Sequence, residues 1–192
     1  GDFDVGKTGF DPPEMEQLFS KLHDKNVKED NFDIDAELKQ PCFSQLGDLW
    51  MLGTGTGLAP YLAILQDEST WQRFERLILV HGARYGEDLA YQAEIAALRS
   101  HPLWAEHGHK LIYQGVTTRD TLAGALHARL PELISSGSLE AALDIPLSLE
   151  DSRIMICGSP AMVQDTHKAL MARGFRLSRL AAPAHIAVEN AW

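Results

Sequence analysis

The chain has 192 residues, of which 45% are hydrophobic and 23% are charged, and its formal net charge is −10. This composition fits one well-packed domain with a small additional segment and excludes disordered and fibrous proteins. The acidic balance argues against binding to nucleic acid or to an anionic membrane surface, because both need clustered cations. No run of the roughly 20 apolar residues that a spanning helix needs occurs, nor a signal-peptide pattern. The two cysteines do not form a disulfide framework, so we expect a soluble, cytoplasmic protein.

The first 46 residues are polar and acidic, and we separate them from a domain over residues 47–192. The segment predicts one short helix from Pro13 to His23, with a charge-rich loop behind it. Its first eight residues, "GDFDVGKT", satisfy the P-loop expression G-x-x-x-x-G-K-[ST]. The neighbouring residues argue against an ATP-binding P-loop. Asp2 and Asp4 would place negative charge in the phosphate cradle, and two prolines prevent a helix from starting directly after it.

Beyond residue 47, apolar strands alternate with amphipathic helices. The predicted strands are "DLWMLG", "RLILVHG", "KLIYQGV", "SRIMICG" and "AHIAV". The predicted helices between them are "YLAILQ", "EDLAYQAEIAALRS", "GALHARLPELISS" and "SPAMVQDTHKALMARG". The last helix has the clearest ends, with Ser159 as its cap, Pro160 in its first turn and Gly174 at its close. The alternation predicts an α/β fold with a doubly wound, five-stranded parallel sheet.

The stretch "LWMLGTGTGLAP", residues 49–60, places three glycines between an apolar strand and an apolar helix. Glycines let backbone N–H groups approach an anion, and the following helix directs its positive end to the same place. The spacing G-x-G-x-G differs from the dinucleotide fingerprint G-x-G-x-x-G. The pattern alone leaves two alternatives open: a nucleotide phosphate site and an ordinary strand-to-helix turn.

Ligands of such sheets bind beyond the carboxyl ends of the strands, which here carry "GTGTG", "HGARYGEDL", "VTTRD" and "CGSPAM". Arg84 and Arg119 lie in two of these loops, and Arg129 follows ten residues after Arg119. Each arginine by itself is more often a surface residue. Together, three guanidinium groups beside one crevice favour a ligand with more phosphate than a bare dinucleotide.

Four motifs resemble the NADP-binding half of bacterial ferredoxin/flavodoxin–NADP reductases. They are "LWMLGTGTGLAP", "LVHGARYGEDLAY", "SRIMICGSPAMVQDT" and "HIAVENAW", in that order over residues 47–192. The resemblance implies that this domain binds NADP(H), that a flavin domain binds FAD, and that hydride passes between NADPH and FAD. It also implies ferredoxin or flavodoxin as the electron partner.

The same resemblance implies roles for individual residues. Cys157 and Gly158 would lie beside the nicotinamide, and Glu189 near the flavin and the hydride path, which makes Cys157 and Glu189 the catalytic candidates. The small thiol of Cys157 would admit the ring, and Glu189 would relay protons or balance charge. From the residues alone, Cys157 fits a buried structural thiol and Glu189 a solvated carboxylate. The residues implied to hold the pyrophosphate are Thr54, Gly55, Thr56 and Gly57. Those implied to bind the phosphates of NADP(H) are Arg84, Thr118, Arg119 and Arg129, of which Arg119 and Arg129 favour the 2′-phosphate. Further cofactor contacts would come from Gly53, Pro60, Met162 and Trp192.

Two features depart from the family's pattern. No Arg-x-Tyr-Ser type flavin motif occurs, and only "GDFDVGKTGF" resembles the last strands of a flavin barrel. Ala191 stands where an aromatic residue would lie on the flavin, directly before Trp192. Two alternatives therefore remain open: an NADP(H)-binding module without redox turnover, and another flavin reductase of the same superfamily. No metal site is expected, because His107 and His109 lack a partner at ligand spacing.

Overall fold

The computed structural model describes residues 46–179 and 182–190. Several features predicted from the sequence lie outside these ranges. They are the helix from Pro13 to His23, the P-loop match, the barrel-like decapeptide, Ala191 and Trp192.

Six parallel strands form one sheet in the order β4-β3-β2-β1-β5-β6. The five predicted strands are confirmed. The strands are β1 (Leu46–Thr54), β2 (Phe74–Ala83), β3 (Leu111–Thr117), β4 (Leu126–His127), β5 (Ser152–Gly158) and β6 (Ile186–Asn190).

The sixth strand, β4, lies within the segment for which the sequence predicts a helix from Gly124 onwards. That prediction is wrong at its start, because Gly124 has a φ of +83° and Leu126 and His127 pair with the end of β3 instead. The helix begins only at Leu130, where Pro131 fits its first turn. The carboxyl end of β3 is therefore paired with β4.

Six α-helices connect the strands. They are α1 (Ala59–Ile64), α2 (Glu68–Arg73), α3 (Gln92–Leu98), α4 (Leu130–Ser136), α5 (Ser138–Leu143) and α6 (Pro160–Ala172). Short 3₁₀ turns cover Gly55–Leu58, Gly86–Asp88 and Ala105–Lys110. Within residues 46–179 and 182–190, no helix combines the length and apolar character that crossing a membrane requires.

Two apolar cores lie on opposite faces of the sheet. Along β1, Trp50 and Leu52 belong to the core under α4, α5 and α6, whereas Leu49 and Met51 belong to the core under α1, α2 and α3. Successive strand residues point to opposite faces, so a strand covered on both faces becomes a continuous apolar run. Trp50, Trp71 and Trp104 are all buried in these cores.

The ends of α6 agree with the sequence in part. Gly174 has a φ of +94°, and the N–H groups of Gly174 and Phe175 donate to the carbonyls of Met171 (3.0 Å) and Leu170 (3.2 Å), which forms a Schellman closure. Ser159 occupies the N-cap position with extended backbone, but its hydroxyl forms no capping bond within the described ranges. The predicted side-chain cap is therefore wrong, because the Ser159 hydroxyl accepts no hydrogen bond from the first-turn N–H groups of α6.

The strand order places the reversal of the sheet beside β1. The chain proceeds from β1 outwards through β2, β3 and β4, and then crosses to β5 on the other edge of β1. Connections leave the carboxyl ends of β1 and β5 in opposite directions, and this divergence opens a crevice between them.

Candidate functional site

The glycine-rich turn after β1 lies directly on the end of β5. A Cβ added at Gly57 would overlap the carbonyl oxygen of Cys157, so only glycine permits this backbone contact. Gly55 meets a different requirement, since its φ is +55° and open space surrounds it. Thr56, between them, is exposed. The glycines therefore let the turn pack closely while Gly55 and Thr56 face solvent.

The end of β5 also contacts the end of β1 and the first turn of α6. A Cβ at Gly158 would overlap the Thr54 hydroxyl and would lie 2.5 Å from the terminal methyl of Met162. Three of the residues implied by the resemblance therefore meet at one point. The packing fixes the position of the Thr54 side chain at the mouth of the crevice.

A cavity of about 510 Å³ opens where β1, β2, β3 and β5 end. This volume is typical of small-molecule sites. Six of the predicted residues line the cavity, namely Thr54, Gly55, Arg84, Thr118, Arg129 and Met162. The other lining residues were not predicted as site residues. They are Gly82, Ala83, Asp88, Val116, Ala128, Leu130, Pro131 and Ser159.

The arginine-bearing loops are joined through the backbone. The carbonyl of Arg84 accepts hydrogen bonds from the N–H groups of Thr118 (3.3 Å) and Arg119 (2.8 Å). The side chain of Arg119 is exposed and does not line the cavity. Arg84 and Arg119 form no ion pair with any residue of the ranges 46–179 and 182–190. Their guanidinium groups are thus available to an anion.

Arg129 approaches the cavity from the other side, directly before α4. Its N–H donates to the Glu132 carboxylate (3.3 Å), which stabilises the first turn of that helix. Its guanidinium lies 3.8 Å from the carboxylate of Asp165 on α6, and both side chains are largely exposed. An exposed pair at this distance is weak, so a phosphate group can replace Asp165 as the partner of Arg129.

Cys157 and Glu189, the predicted catalytic residues, do not line the cavity and lie beside it on β5 and β6. Cys157 is 3% exposed, and burial, followed by the charge of Glu189, raises its pKa to about 12, so it is a neutral thiol. Its burial agrees with the structural thiol that the sequence left open. Glu189 is half-buried, and burial raises its pKa, which does not fit a fully solvated carboxylate.

Tyr61 is a buried neighbour of this pair that the sequence analysis missed. Its hydroxyl donates to the carbonyl of Leu52 (3.0 Å), and a Cβ at Gly53 would come 2.9 Å from its ring. Burial raises the pKa of Tyr61 strongly, and the charges of Cys157 and Glu189 raise it further. Its one sequence signal is its position directly after Pro60, in the first turn of α1.

Asp120 is a second residue that the sequence analysis missed. Its carboxylate accepts hydrogen bonds from the N–H of Gly86 at 3.1 Å and 2.9 Å. It therefore links the loops that follow β2 and β3. For metals, the ranges 46–179 and 182–190 contain no group of three or more His, Cys, Asp or Glu side chains arranged to hold an ion.

Comparison with protein families gives two matches. The family model of the oxidoreductase NAD-binding domain matches residues 51–168, which is more than half of the chain. The model of the ParB-methyltransferase HTH domain matches residues 1–46, a segment of which the structure describes only the last residue. The interpretation of residues 1–46 as a barrel end and linker stays a prediction.

Individual relatives agree with the first match. The chain is 42% identical over 145 residues to a flavodoxin/ferredoxin–NADP reductase of Shigella flexneri, covering 75% of this chain and 56% of the relative. It is 32% identical over 183 residues to the reductase of Buchnera aphidicola subsp. Baizongia pistaciae, covering 92% and 70%.

Solved structures show the same likeness. The crystal structure of a ferredoxin NADP+ reductase from Neisseria gonorrhoeae with bound FAD and NADP superposes with a TM-score of 0.70 at 37% identity. The superposition covers 78% of this chain and 58% of the gonococcal chain. The chain thus spans little more than half the length of several relatives that it matches. With its oxidoreductase NAD-binding domain, the chain belongs to the ferredoxin/flavodoxin–NADP reductase family.

Proposed function

We propose that the chain binds NADP(H) and serves as the NADP(H)-binding half of a flavin-dependent ferredoxin/flavodoxin–NADP reductase. The observation that carries this proposal is the cavity at the reversal of the sheet, where the glycine turn meets Arg84, Thr118 and Arg129. FAD would be held by a flavin domain, ferredoxin or flavodoxin would be the electron partner, and the cytoplasm would be the compartment. The gonococcal relative contains both FAD and NADP in its crystal structure.

The cavity fits the phosphate groups of NADP(H). The turn after β1 has no side chain at Gly55, which open space surrounds, so its backbone N–H groups can approach the pyrophosphate. The N-terminus of the 13-residue helix α6 adds its positive end beside Ser159. Two arginines, Arg84 and Arg129, line this cavity with one acidic residue, Asp88, on a chain whose net charge is −10, which favours an anionic ligand there.

Within this proposal, Cys157 and Glu189 act beside the reacting rings. NADPH, when bound, supplies a hydride, and the flavin of the adjoining domain accepts it. Cys157 is small and uncharged, so it admits a flat ring without adding charge beside it. Glu189 holds its proton to a higher pH than an ordinary glutamate, which suits a group that moves a proton at its carboxylate.

The proposal is tested by titration calorimetry of the 192-residue chain with NADPH, NADH and FAD. We expect NADPH to bind more tightly than NADH, because only NADPH carries the 2′-phosphate that the arginines recognise. We expect FAD to bind more weakly than NADPH. FAD binding as tight as that of NADPH, or the absence of NADPH binding, would overturn the proposal.

A further inference from the structure

The loops that follow β2 and β3 are crosslinked at two places. At the first, the carbonyl of Arg84 accepts the N–H groups of Thr118 and Arg119. At the second, the Asp120 carboxylate accepts the N–H of Gly86 with both oxygens, at 3.1 Å and 2.9 Å. These contacts bridge about 34 positions of the chain, so local structure does not produce them.

The backbone at Asp120 is itself anchored. Its carbonyl accepts the hydroxyl of buried Thr117 at 2.6 Å and contacts Nδ1 of His127, on β4, also at 2.6 Å. Because a carbonyl only accepts, Nδ1 of His127 carries the proton. Asp120 is therefore fixed to β3 and β4, while its carboxylate reaches across to the loop after β2.

A carboxylate in a phosphate-binding loop repels the ligand, so Asp120 is unfavourable there unless it performs another task. Two other side-chain contacts are described here. The Leu122 side chain packs against Gly86, and the hydrogen bond from the Thr118 hydroxyl to the Ala83 carbonyl is 3.5 Å long and weak. The hydrogen bond to Asp120 is shorter and charge-assisted, which makes it the stronger of the two hydrogen bonds.

We infer that Asp120 is a positioning residue that holds the Arg84 loop and the Thr118–Arg119 loop in the arrangement that binds the phosphates of NADP(H). The inference rests on the proposed function. Asp120 acts through the backbone of Gly86 and does not itself contact the ligand. Its effect is preorganisation: both loops hold their guanidinium groups in place before the nucleotide arrives.

The test compares Asp120→Ala with Asp120→Asn. The asparagine keeps an acceptor oxygen for Gly86 and the alanine does not, whereas both remove the charge. We expect Asp120→Ala to weaken NADPH binding about tenfold in calorimetry and Asp120→Asn to bind as tightly as the wild type. In the ligand-free chain, amide exchange at Gly86 should accelerate in Asp120→Ala only. Glu150→Ala, an exposed change of the same charge, is the matched control and should change neither measurement.

A double-mutant cycle separates positioning from general stability. If Asp120 acts through the arginines, Asp120→Ala should weaken NADPH binding much less in a chain that already carries Arg84→Ala and Arg119→Ala. A full tenfold loss in that background would assign Asp120 a structural role and overturn the inference. Tighter NADPH binding by both Asp120 variants would show that its charge only repels the ligand, which also overturns it.

The outcomes distinguish this inference from the proposed function. If the wild type does not bind NADPH, the proposed function fails, and the positioning role fails with it even when Gly86 exchange responds to Asp120→Ala. If the wild type binds NADPH and Asp120→Ala binds it equally well, the inference alone fails.

Discussion

Cys157 and Glu189 lie side by side as a register pair of the parallel strands β5 and β6. Burial raises the pKa of both groups, and the charge of Glu189 raises that of Cys157 further. The buried Tyr61 responds to the same two neighbours. Burial therefore disfavours negative charge on these three side chains.

The pair predicts how stability depends on pH. Because the folded chain holds the proton of Glu189 above the ordinary pKa of 4.5, the wild type loses stability as pH rises through the folded pKa. Glu189→Gln removes this loss, so its free energy of unfolding should exceed that of the wild type at pH 7 and match it at about pH 3.5. Urea unfolding across this range measures the difference. Exposed Glu150→Gln is the control, and a constant gap between Glu189→Gln and wild type would contradict the prediction.

We predict that replacing Gly57 by alanine disturbs the turn after β1 by steric overlap. In Gly57→Ala the new methyl meets the carbonyl oxygen of Cys157 and lies 2.8 Å from the nitrogen of Gly158, and backbone atoms cannot move aside as a flexible side chain would. Such overpacking costs about 1–3 kcal/mol or more. Urea unfolding should show this loss, together with weaker NADPH binding because the turn shifts.

Gly55→Ala is the matched control for that change. Its methyl meets open space, so its cost comes only from the left-handed backbone, about 1 kcal/mol. If Gly55→Ala destabilises the chain as much as Gly57→Ala, the contact between the turn and β5 does not restrict residue 57.

We predict that the burial of His81 makes the folded chain lose stability in acid. It is 1% exposed, and burial lowers its pKa to about 4 from 6.5. The unfolded chain takes up this proton first, so stability falls by about 3 kcal/mol between pH 6.5 and 4. His81→Gln does not titrate and should lose correspondingly less stability over this range. Exposed His109→Gln should retain the wild-type profile. Equal pH profiles for His81→Gln and the wild type would contradict the prediction.

The strands and the place of the site could be predicted from the sequence because they depend on local patterns. Apolar runs such as "LWML" and "LILV" mark strands covered on both faces, and the residues that follow them lie at the carboxyl ends. The strand β4 could not be predicted, since two residues carry no pattern and their pairing with β3 is decided by the glycine turn before them.

The contacts within the site were not predictable for a different reason. Asp120 and Gly86 are 34 positions apart, and nothing near either residue indicates that they meet. Arg119 shows the complementary case: its position in the chain marks it as a phosphate ligand, but its side chain is exposed outside the cavity lining. Distances between loops depend on how neighbouring strands end, and this information is spread over the whole sheet.

We predict that Arg119 and Arg129 let the chain distinguish NADPH from NADH. The two cofactors differ by the 2′-phosphate, and we assign its recognition to Arg119 and Arg129. A hydrogen bond to a charged group contributes about 1.5–3 kcal/mol, so Arg119→Ala or Arg129→Ala should weaken NADPH binding about ten- to a hundredfold. NADH binding should change little. Dissociation constants for both cofactors, measured by calorimetry, test this.

Arg84→Ala provides the contrast within the same cavity. Arg84 lines the cavity beside Thr54 and Gly55, where the pyrophosphate common to both cofactors is expected, so its loss should weaken NADPH and NADH together. Arg129 can leave Asp165 for the 2′-phosphate, because their 3.8 Å exposed pair is weak. Asp165→Asn should therefore leave NADH binding unchanged and strengthen NADPH binding slightly. If Arg119→Ala and Arg129→Ala weaken NADH as much as NADPH, these arginines bind the pyrophosphate or support the loops, and the 2′-phosphate assignment is wrong.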